Sequence, residues 1–439
     1  MTDVKQLKVA LLGAGTVGAQ VARILLEDTT ELTRRVGAEL TLTGIAVRNL
    51  DSQRDADLPA ELFTTDANAL ITDADVVIEL IGGIVPASEY IRTALSSGAA
   101  VITGNKALIA QQGAELHALA AENNTVLAYE AAVAGAIPIL RPISDSLGGD
   151  NITKVMGIVN GTTNFILDKM DTTGAAFDDV LAEAQALGYA EADPTADVEG
   201  HDAAAKAAIL ASLAFHGNFT FDEVHCEGIT KISAADIAAA AQENQVIKLL
   251  AIVAKSDAGV SMRVHPTLIS RDHPLAAVRG AYNAVFVEAE NAGDLMFYGQ
   301  GAGGNPTASA VMGDLVTTAR ALVAGALTAP VEANELPALA LDDVQTSYAV
   351  TMRVADQSGV LAQISSLFAE NNVSIEAMRQ TAMDEAEAAG VQANGDKAEA
   401  WLRIVTHVGR EADLAATVEK IRELAVVKEI TSVLRVEGN

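Results

Sequence analysis

Residues 7–18 read LKVALLGAGTVG, an apolar run of strand length that leads into a glycine-rich turn. Gly13 permits a tight turn, Gly15 lets the main chain approach a pyrophosphate, and Gly18 lets the next helix pack closely on the strand. Because the N-terminus of that helix would point its N–H groups at an anion, the stretch predicts a dinucleotide-binding unit. A plain turn is the alternative, since this glycine pattern alone is weakly specific. The predicted cofactor contacts of the turn are Gly13, Gly15, Thr16, Val17 and Gly18.

The alternation of strand and helix continues to residue 129. Repeated strand–helix units predict a doubly wound parallel α/β sheet of the Rossmann type, which we assign to residues 1–138. Ligands of such sheets bind beyond the carboxyl ends of the strands, so Gly82, Thr103 and Lys106 are predicted to line the cofactor cleft. The predicted strands are residues 40–47, 74–81, 99–103 and 126–129, and the predicted helices are residues 19–27, 87–96 and 113–122.

The residue after the second predicted strand bears on the choice of cofactor. NAD-specific domains usually carry an acidic residue there, which bonds the ribose 2′-hydroxyl, whereas this chain has Arg48. A guanidinium suits the 2′-phosphate of NADP, so NADP is favoured, and nearby Asp51 leaves the use of NAD open. The alternative is that Arg48 is a solvated loop charge.

Charge and composition limit the classes of function. The 439 residues include 58 acidic and 29 basic ones, and the formal net charge of −29 disfavours binding to nucleic acid or to an anionic membrane. Because the chain shows neither a signal peptide nor an apolar run long enough to span a bilayer, we expect a soluble, cytoplasmic protein. A single cysteine, Cys226, excludes an intramolecular disulfide and a cysteine metal cluster, and we expect it to be buried.

Residues 188–206, GYAEADPTADVEGHDAAAK, contain a second group of candidate functional residues. Asp202 and Lys206 are four residues apart and therefore share one face of a predicted helix. A surface ion pair is the alternative, but the helix is apolar nearly all round and should be buried. A buried lysine beside a carboxylate shifts its pKa readily and can serve as a general acid or base. Glu191 and Asp197 are two further acids of this carboxylate-dense segment, and the alternative to a functional role is that they merely cap or solvate the start of the helix.

Six stretches, in order along residues 7–325, resemble homoserine dehydrogenase. They are GAGTVG, GNKAL, EAAVAGAIP, NGTTNFIL, GYAEADPTADVEGHDAAAKAAIL and GQGAGGNPTASAVMGDL. The resemblance implies NAD(P)-dependent interconversion of aspartate 4-semialdehyde and homoserine, in the pathway to threonine, methionine and isoleucine. It also implies an α+β substrate-binding and dimerisation domain at residues 139–325, in a homodimer or homotetramer.

The resemblance assigns a role to each candidate residue of the site. Lys206 matches the lysine that donates a proton to the carbonyl, and Asp202 matches the carboxylate that orients the substrate beside it. Glu191 matches the residue that bonds the substrate amino group, and Asp197 matches a further acid on the substrate side. Lys106 matches a lysine near both the nicotinamide and the substrate.

Two further matches concern the cofactor and a cation. Gly303 matches a glycine near the cofactor. A sodium site built from a carboxylate and main-chain carbonyls is implied at four positions, namely Glu130, Val133, Gly135 and Ile137.

The C-terminal part of the sequence predicts a separate module. We assign residues 326–345 to a linker and residues 346–439 to a ferredoxin-like βαββαβ unit, with an Ala/Glu-rich hairpin at residues 384–399. The stretch VADQSGVLAQISSLFAENNVSIEAM resembles an ACT domain, a module that binds amino acids. The resemblance implies feedback inhibition by threonine, and a purely structural dimerisation module is the alternative. The candidate effector contacts are Asp356, Gly359 and Val360.

Two other functions compete with this interpretation. A different Rossmann-type amino-acid dehydrogenase, such as an aspartate dehydrogenase, would not explain the GYAEADP and NGTTNF stretches. A catalytically inactive amino-acid sensor is disfavoured because Lys106, Asp202 and Lys206 are all present. A fusion to aspartokinase is not expected, since the sequence begins at the first predicted strand.

Overall fold

The N-terminal domain is built on a parallel sheet. The structure, a computed structural model, describes residues 5–52, 56–326, 333–383 and 399–438. Within these residues six strands pair in the order β3-β2-β1-β4-β5-β6. The order reverses direction at β1, as expected for a Rossmann-type sheet, and the predicted fold is confirmed. The strands are β1 (Gln6–Leu12), β2 (Glu39–Ala46), β3 (Phe63–Thr64), β4 (Val76–Glu79), β5 (Ala100–Thr103) and β6 (Leu127–Ala128).

Several helices of this domain begin within four residues of a strand end. Gly13 has a φ of +99°, and a Cβ there would lie 2.7 Å from the carbonyl oxygen of Leu80, so the turn requires glycine. The fifth helix begins at Lys106 and not at the predicted residue 113, because the Asn105 side chain caps it by accepting the N–H of Leu108. The helices are α1 (Thr16–Glu27), α2 (Thr29–Val36), α3 (Ala67–Thr72), α4 (Ala87–Ser96) and α5 (Lys106–Glu122).

The middle domain combines a largely antiparallel sheet with helices packed on it. Its long strands pair in the order β12-β11-β7-β9-β10, and a short strand, β8, pairs with β10. Cys226 on β8 is half-buried, whereas the sequence analysis expected it to be buried. The elements are β7 (Ile152–Ile158), α6 (Gly161–Thr173), α7 (Phe177–Ala186), α8 (Thr195–Val198), α9 (His201–Ala214), β8 (His225–Cys226), α10 (Ala234–Gln242), β9 (Gln245–Ser256), β10 (Gly259–Ser270), β11 (Tyr282–Ala289) and β12 (Gly293–Gln300).

A long helix, α11 (Gly304–Ala324), returns from the middle domain to the cofactor domain. Its buried face, including Val311 and Leu315, shares an apolar core with Val21 and Leu25 of α1. This core fixes the two domains against each other through the dispersion and hydrophobic contacts of closely packed side chains.

The C-terminal module has the predicted βαββαβ order, with one additional two-residue strand. Residues 384–398 of the expected hairpin lie outside the described residues. The module has its own apolar core, in which Val350, Phe368, Leu402 and Ile421 are buried. The elements are β13 (Gln345–Ala355), α12 (Val360–Glu370), β14 (Ile375–Ala382), β15 (Glu399–Thr406), β16 (Gly409–Arg410), α13 (Glu411–Arg422) and β17 (Val427–Glu437).

The sheets of the middle domain and the C-terminal module are continuous. Strand β17 pairs in parallel with β10, with Arg435 opposite Thr267 and Glu437 opposite Ile269, and on its other side β17 pairs with β13. The two predicted domains are therefore joined by main-chain hydrogen bonds as well as by the linker. Over the described stretches, no helix has both the length and the apolar character needed to cross a bilayer.

Candidate active site

Asp202 lies between two lysines at the N-terminal end of α9. Its Oδ1 is 2.5 Å from Lys106 Nζ, and its Oδ2 is 2.7 Å from Lys206 Nζ. Asp202 and Lys206 are each 8% exposed, whereas the Lys106 side chain is 44% exposed. The i,i+4 pair is thus buried, because nearly every side chain of α9 is buried. Lys106 comes from the cofactor domain and the other two residues from the middle domain, so the site lies where these domains meet.

The electrostatics of this ion pair favour proton transfer. Burial raises the pKa of Asp202, but the positive charges of Lys206 and Lys106 outweigh it and hold that pKa well below its usual range. Burial lowers the pKa of the Lys206 ammonium, and Asp202 offsets this only in part. Lys206 therefore releases its proton more readily than an exposed lysine, a change in the direction that suits a general acid.

The end of β7 completes the cluster with a residue that the sequence analysis did not identify. Lys206 Nζ donates to the Val159 carbonyl at 2.6 Å. The next residue, Asn160, donates from Nδ2 to Asp197 Oδ1 at 2.7 Å and to Asp202 Oδ2 at 2.9 Å. Its signal in the sequence is a polar amide directly after an apolar strand, at the point where the NGTT turn opens a helix.

Three acids of the segment that leads to α9, Glu191, Asp193 and Asp197, have different surroundings. Asp193 Oδ1 accepts hydrogen bonds from the main-chain N–H and the hydroxyl of Thr195, so Asp193 caps the turn into α8. Asp197 is half-buried and joined to Asn160, which brings it to the lysine–aspartate pair. Glu191 is exposed, and Gln185 Nε2 holds its main-chain carbonyl at 3.0 Å.

A cavity of about 780 Å³ lies at the carboxyl ends of β1 and β2, beside the glycine-rich turn. Arg48 lines it, as do Gly13 and Gly15, whereas Asp51 is exposed on the following loop. The predicted contacts Thr16 and Val17 are the first two residues of α1, which begins directly after the glycines that line the cavity. Its remaining lining residues include Ala14, Val47, Asn49, Thr65, Leu80, Ile81 and Tyr90.

Thr103 does not present its side chain to the cleft. It is fully buried, and its hydroxyl donates to Glu79 Oε2 at 2.6 Å and accepts the N–H of Asn105 at 3.0 Å. Glu79 is also fully buried, and its Oε1 accepts the N–H groups of Ile81 and Gly82. These bonds fix the loop after β4 and the start of α5. Thr103 and Glu79 therefore position the main chain that borders the cofactor cleft, and their own side chains do not line it. A glutamate inside the apolar run ADVVIELI was the available signal for Glu79.

The remaining predicted cofactor residue, Gly303, caps α11 with a φ of +115°. A Cβ on its neighbour Gly304 would lie 2.9 Å from the carbonyl oxygen of Thr16, so this helix start lies against the glycine-rich turn. Gly303 is thus placed at the junction between the two domains.

The proposed sodium loop fits a cation only in part. The Glu130 carboxylate is buried and accepts N–H bonds from Ile139, Leu140 and Arg141, and a further bond from the Arg141 guanidinium. These four donors occupy the carboxylate, so it does not fit as a cation ligand. The main-chain carbonyls of this loop, which includes Val133, Gly135 and Ile137, are the groups that could serve. In the described ranges no group of three or more His, Cys, Asp or Glu side chains could hold a metal.

The candidate effector residues lie between β13 and α12. Asp356 is exposed and its Oδ1 accepts a hydrogen bond from Gln380 Nε2 at 3.1 Å. Gly359 caps α12 in the left-handed conformation, with a φ of +88°. The side chain of Val360 is buried in the core of the module, so only its main chain is placed to meet a ligand.

Three family models cover most of the chain. Residues 13–130 match the NAD-binding domain of homoserine dehydrogenase, residues 138–316 match homoserine dehydrogenase, and residues 348–426 match the ACT domain. A homoserine dehydrogenase of Corynebacterium glutamicum is 52% identical over 438 residues, which cover 98% of this chain and 95% of that protein.

Solved structures agree with these matches. A homoserine dehydrogenase from Thiobacillus denitrificans superposes with a TM-score of 0.89 at 39% identity, covering 99% of each chain. A hyperthermophilic archaeal homoserine dehydrogenase in complex with NADPH superposes with a TM-score of 0.60 at 29% identity, covering 71% of this chain and 97% of that one. Because the similarity extends over nearly the whole length, this chain belongs to the homoserine dehydrogenase family and carries an ACT domain.

Proposed function

We propose that this chain reduces L-aspartate 4-semialdehyde to L-homoserine, and catalyses the reverse reaction, with NADPH as the favoured cofactor. The observation that carries the proposal is the buried Asp202–Lys206 pair, joined by Lys106 from the cofactor domain. Such a pair lies where substrate and cofactor would meet, and it contains a lysine with a lowered pKa.

Each residue of the site has a separate role in the proposed reaction. Reduction of an aldehyde develops negative charge on the carbonyl oxygen, and Lys206 Nζ is placed to neutralise that charge and supply the proton. Asp202 orients Lys206 and keeps Lys106 close to the substrate. The carboxylates of Glu191 and Asp197 suit the substrate ammonium, and the exposed Lys106 suits its carboxylate. The nicotinamide, when bound, supplies the hydride.

The cofactor preference rests on Arg48. This residue lines the cavity next to the glycine-rich turn, and a guanidinium suits a 2′-phosphate. The archaeal relative described with NADPH supports the same preference. In Arg48→Ala we expect the KM for NADPH to rise about tenfold or more while the KM for NADH changes little. Equal changes for both cofactors would contradict the assignment.

The main test follows the absorbance of the reduced cofactor during reduction of aspartate 4-semialdehyde, for wild type and Lys206→Ala. Oxaloacetate with ammonium serves as the control substrate, because an aspartate dehydrogenase would use it. We expect the wild type to turn over aspartate 4-semialdehyde and not oxaloacetate with ammonium. Lys206→Ala should lose the turnover of aspartate 4-semialdehyde. Full activity of Lys206→Ala, or turnover of the control substrate instead, would overturn the proposal.

The ACT domain, the cation and the assembly complete the proposal. Threonine is the proposed feedback inhibitor, with Asp356 and Gly359 near its site, and unchanged kinetics in millimolar threonine, methionine and isoleucine would contradict it.

A sodium ion is proposed at main-chain carbonyls of residues 130–137, tested by replacing sodium with choline in the assay buffer. A homodimer or homotetramer through the middle domain is proposed, and sedimentation velocity measures it.

A further inference from the structure

We propose that Asn160 is a positioning residue for the reaction, whose amide clamps Asp197 and Asp202 and thereby fixes the carboxylate that orients Lys206. The inference rests on the proposed function of Lys206. Asn160 itself is buried, with 5% exposure, and its role is to act through Asp202 and not on the substrate.

The orientation of the Asn160 amide follows from the chemistry of its partners. Its Oδ1 accepts the N–H of Thr163 at 2.9 Å, and a main-chain N–H can only donate. Its Nδ2 faces Asp197 Oδ1 and Asp202 Oδ2, and ionised carboxylates can only accept. A flipped amide would lose all three bonds, so the NH₂ group must point at the two acids.

The clamp joins two like charges without adding a charge. Asp197 and Asp202 are both acids, and a neutral amide that donates one N–H to each holds them together against their mutual repulsion. With Lys106 and Lys206 the group contains two positive and two negative charges. Because Asp202 Oδ2 is shared between Lys206 and Asn160, its position is set from two directions.

Consecutive residues hold the two members of the catalytic pair. The carbonyl of Val159 accepts a hydrogen bond from Lys206 Nζ, and the side chain of Asn160 donates to Asp202. The turn that carries both is closely packed, since a Cβ on Gly161 would lie 2.7 Å from the carbonyl oxygen of Ala281. The end of β7 therefore sets the separation of the lysine and the aspartate.

A purely structural role for Asn160 is the competing explanation, because the residue also caps α6. The cap uses only Oδ1, which accepts the Thr163 N–H, and the Nδ2 donors are not needed for it. Aspartate and serine cap helices about as well as asparagine. Asn160→Asp and Asn160→Ser thus keep the cap and remove the clamp, which separates the two roles.

The experiment compares wild type, Asn160→Asp, Asn160→Ser and a matched control, Asn164→Asp. Asn164 lies one turn further along α6 and is also buried, with 1% exposure. Its Oδ1 accepts a hydrogen bond from Lys248 Nζ, and its Nδ2 donates to main-chain carbonyls of the loop at residues 278–282. We measure kcat and KM for aldehyde reduction, the pH dependence of kcat, and the melting temperature.

We expect kcat of Asn160→Asp to fall about 100-fold, because a misplacement of about 1 Å can cost that much. The KM for NADPH should stay within about twofold, and the high-pH limb of kcat should move to higher pH, since an added carboxylate holds the proton on Lys206. Asn160→Ser should lose about tenfold or more in kcat without that shift. The control should keep kcat within about threefold.

Wild-type kcat in both Asn160 variants, or an equal loss of kcat in Asn164→Asp, would overturn the clamp. If Asn160→Asp does not fold, Asn160→Ser alone decides by the same criterion. Failure of the proposed function would show differently, as a wild type without activity on aspartate 4-semialdehyde or an active Lys206→Ala.

Discussion

The buried carboxylates of Asp202, at the candidate active site, and Glu437, at the junction with the ACT domain, are each held between two cations. Asp202 lies between Lys106 and Lys206, as described above. Glu437, on β17, has Oε1 2.5 Å from Arg263 Nη2 and Oε2 2.6 Å from Lys154 Nζ. The arrangements are alike in geometry, since each carboxylate offers one oxygen to each cation.

The two sites differ in the proton chemistry of their most deeply buried cation. At the active site this is Lys206, whose pKa is lowered by burial. At the junction it is Arg263, 4% exposed, and although burial lowers its pKa too, a guanidinium does not deprotonate in proteins. The same geometry therefore suits the proposed proton transfer where the cation is lysine, and attachment of the ACT domain where it is arginine.

The sharpest test of this comparison is Lys206→Arg, which keeps the charge and removes the transferable proton. We expect kcat for aldehyde reduction to fall by about 10²–10⁴, the usual contribution of a general acid. The melting temperature should change little, since the pairing with Asp202 is retained. The reciprocal change, Arg263→Lys, is the control and should leave kcat near that of wild type. An active Lys206→Arg would show that the lysine acts only as a charge.

The second prediction concerns stability at the junction. Glu437→Gln removes the carboxylate that faces Arg263, and breaking a buried ion pair costs about 3–5 kcal/mol of the free energy of unfolding. Denaturant unfolding and hydrogen exchange in β17 should report that loss. Glu429→Gln is the control on the same strand, because Glu429 is 54% exposed and its pair with Arg353 should contribute about 1 kcal/mol or less. Equal effects of the two changes would contradict the comparison.

A third buried carboxylate, Asp314 on α11, lacks such a pair of cations. Its Oδ2 accepts the main-chain N–H of Glu130 at 2.8 Å. Arg141 Nε lies 3.4 Å from Asp314 Oδ1 but donates its hydrogen bond to the Glu130 carboxylate. Burial raises its pKa to about 7. The folded state therefore keeps a proton between about pH 4 and 7 that the unfolded state has released, so this group lowers stability as pH rises through that window.

Asp314→Asn removes this penalty while keeping an oxygen that can accept the same N–H. The free energy of unfolding of the variant minus that of wild type should increase by about 2–4 kcal/mol from pH 4 to pH 8. Denaturant unfolding at both pH values measures the difference. A constant difference between wild type and variant across this range would mean that Asp314 has an ordinary pKa in the folded state.

Local patterns in the sequence were sufficient for most of the fold. The GAGTVG turn and the strand–helix alternation predicted the parallel sheet, and the i,i+4 spacing of Asp202 and Lys206 predicted the pair on α9, because these signals act within a few residues. The βαββαβ order of the C-terminal module was predicted in the same way. The pairing of β17 with β10 was not, since it joins residues that are far apart in the chain and strand periodicity does not specify a partner.

The same limit applies to the site. Asn160 was missed because its partners Asp197 and Asp202 are 37 and 42 residues away, and no spacing rule connects them. Thr103 lies at a strand end as predicted, but strand periodicity did not reveal that its hydroxyl contacts Glu79 and not the cleft. It is the register partner of Glu79 on the neighbouring strand, and a hydroxyl beside a buried carboxylate donates to it.

The smallest predicted effect tests whether burial, and not the mere presence of an ion pair, makes the junction strong. Arg379 on β14 pairs with Glu243 at the end of α10 at 2.8 Å, across the same boundary that Glu437 spans. Arg379 is 60% and Glu243 38% exposed, so water and salt screen the pair and its two long side chains lose entropy in forming it. Arg379→Ala should therefore change the free energy of unfolding by about 0.5 kcal/mol or less, measured by denaturant unfolding beside Glu437→Gln. A loss comparable to that of the Glu437 variant would mean that the module is held by charge pairs in general, and that the arginine at the buried position has no special role.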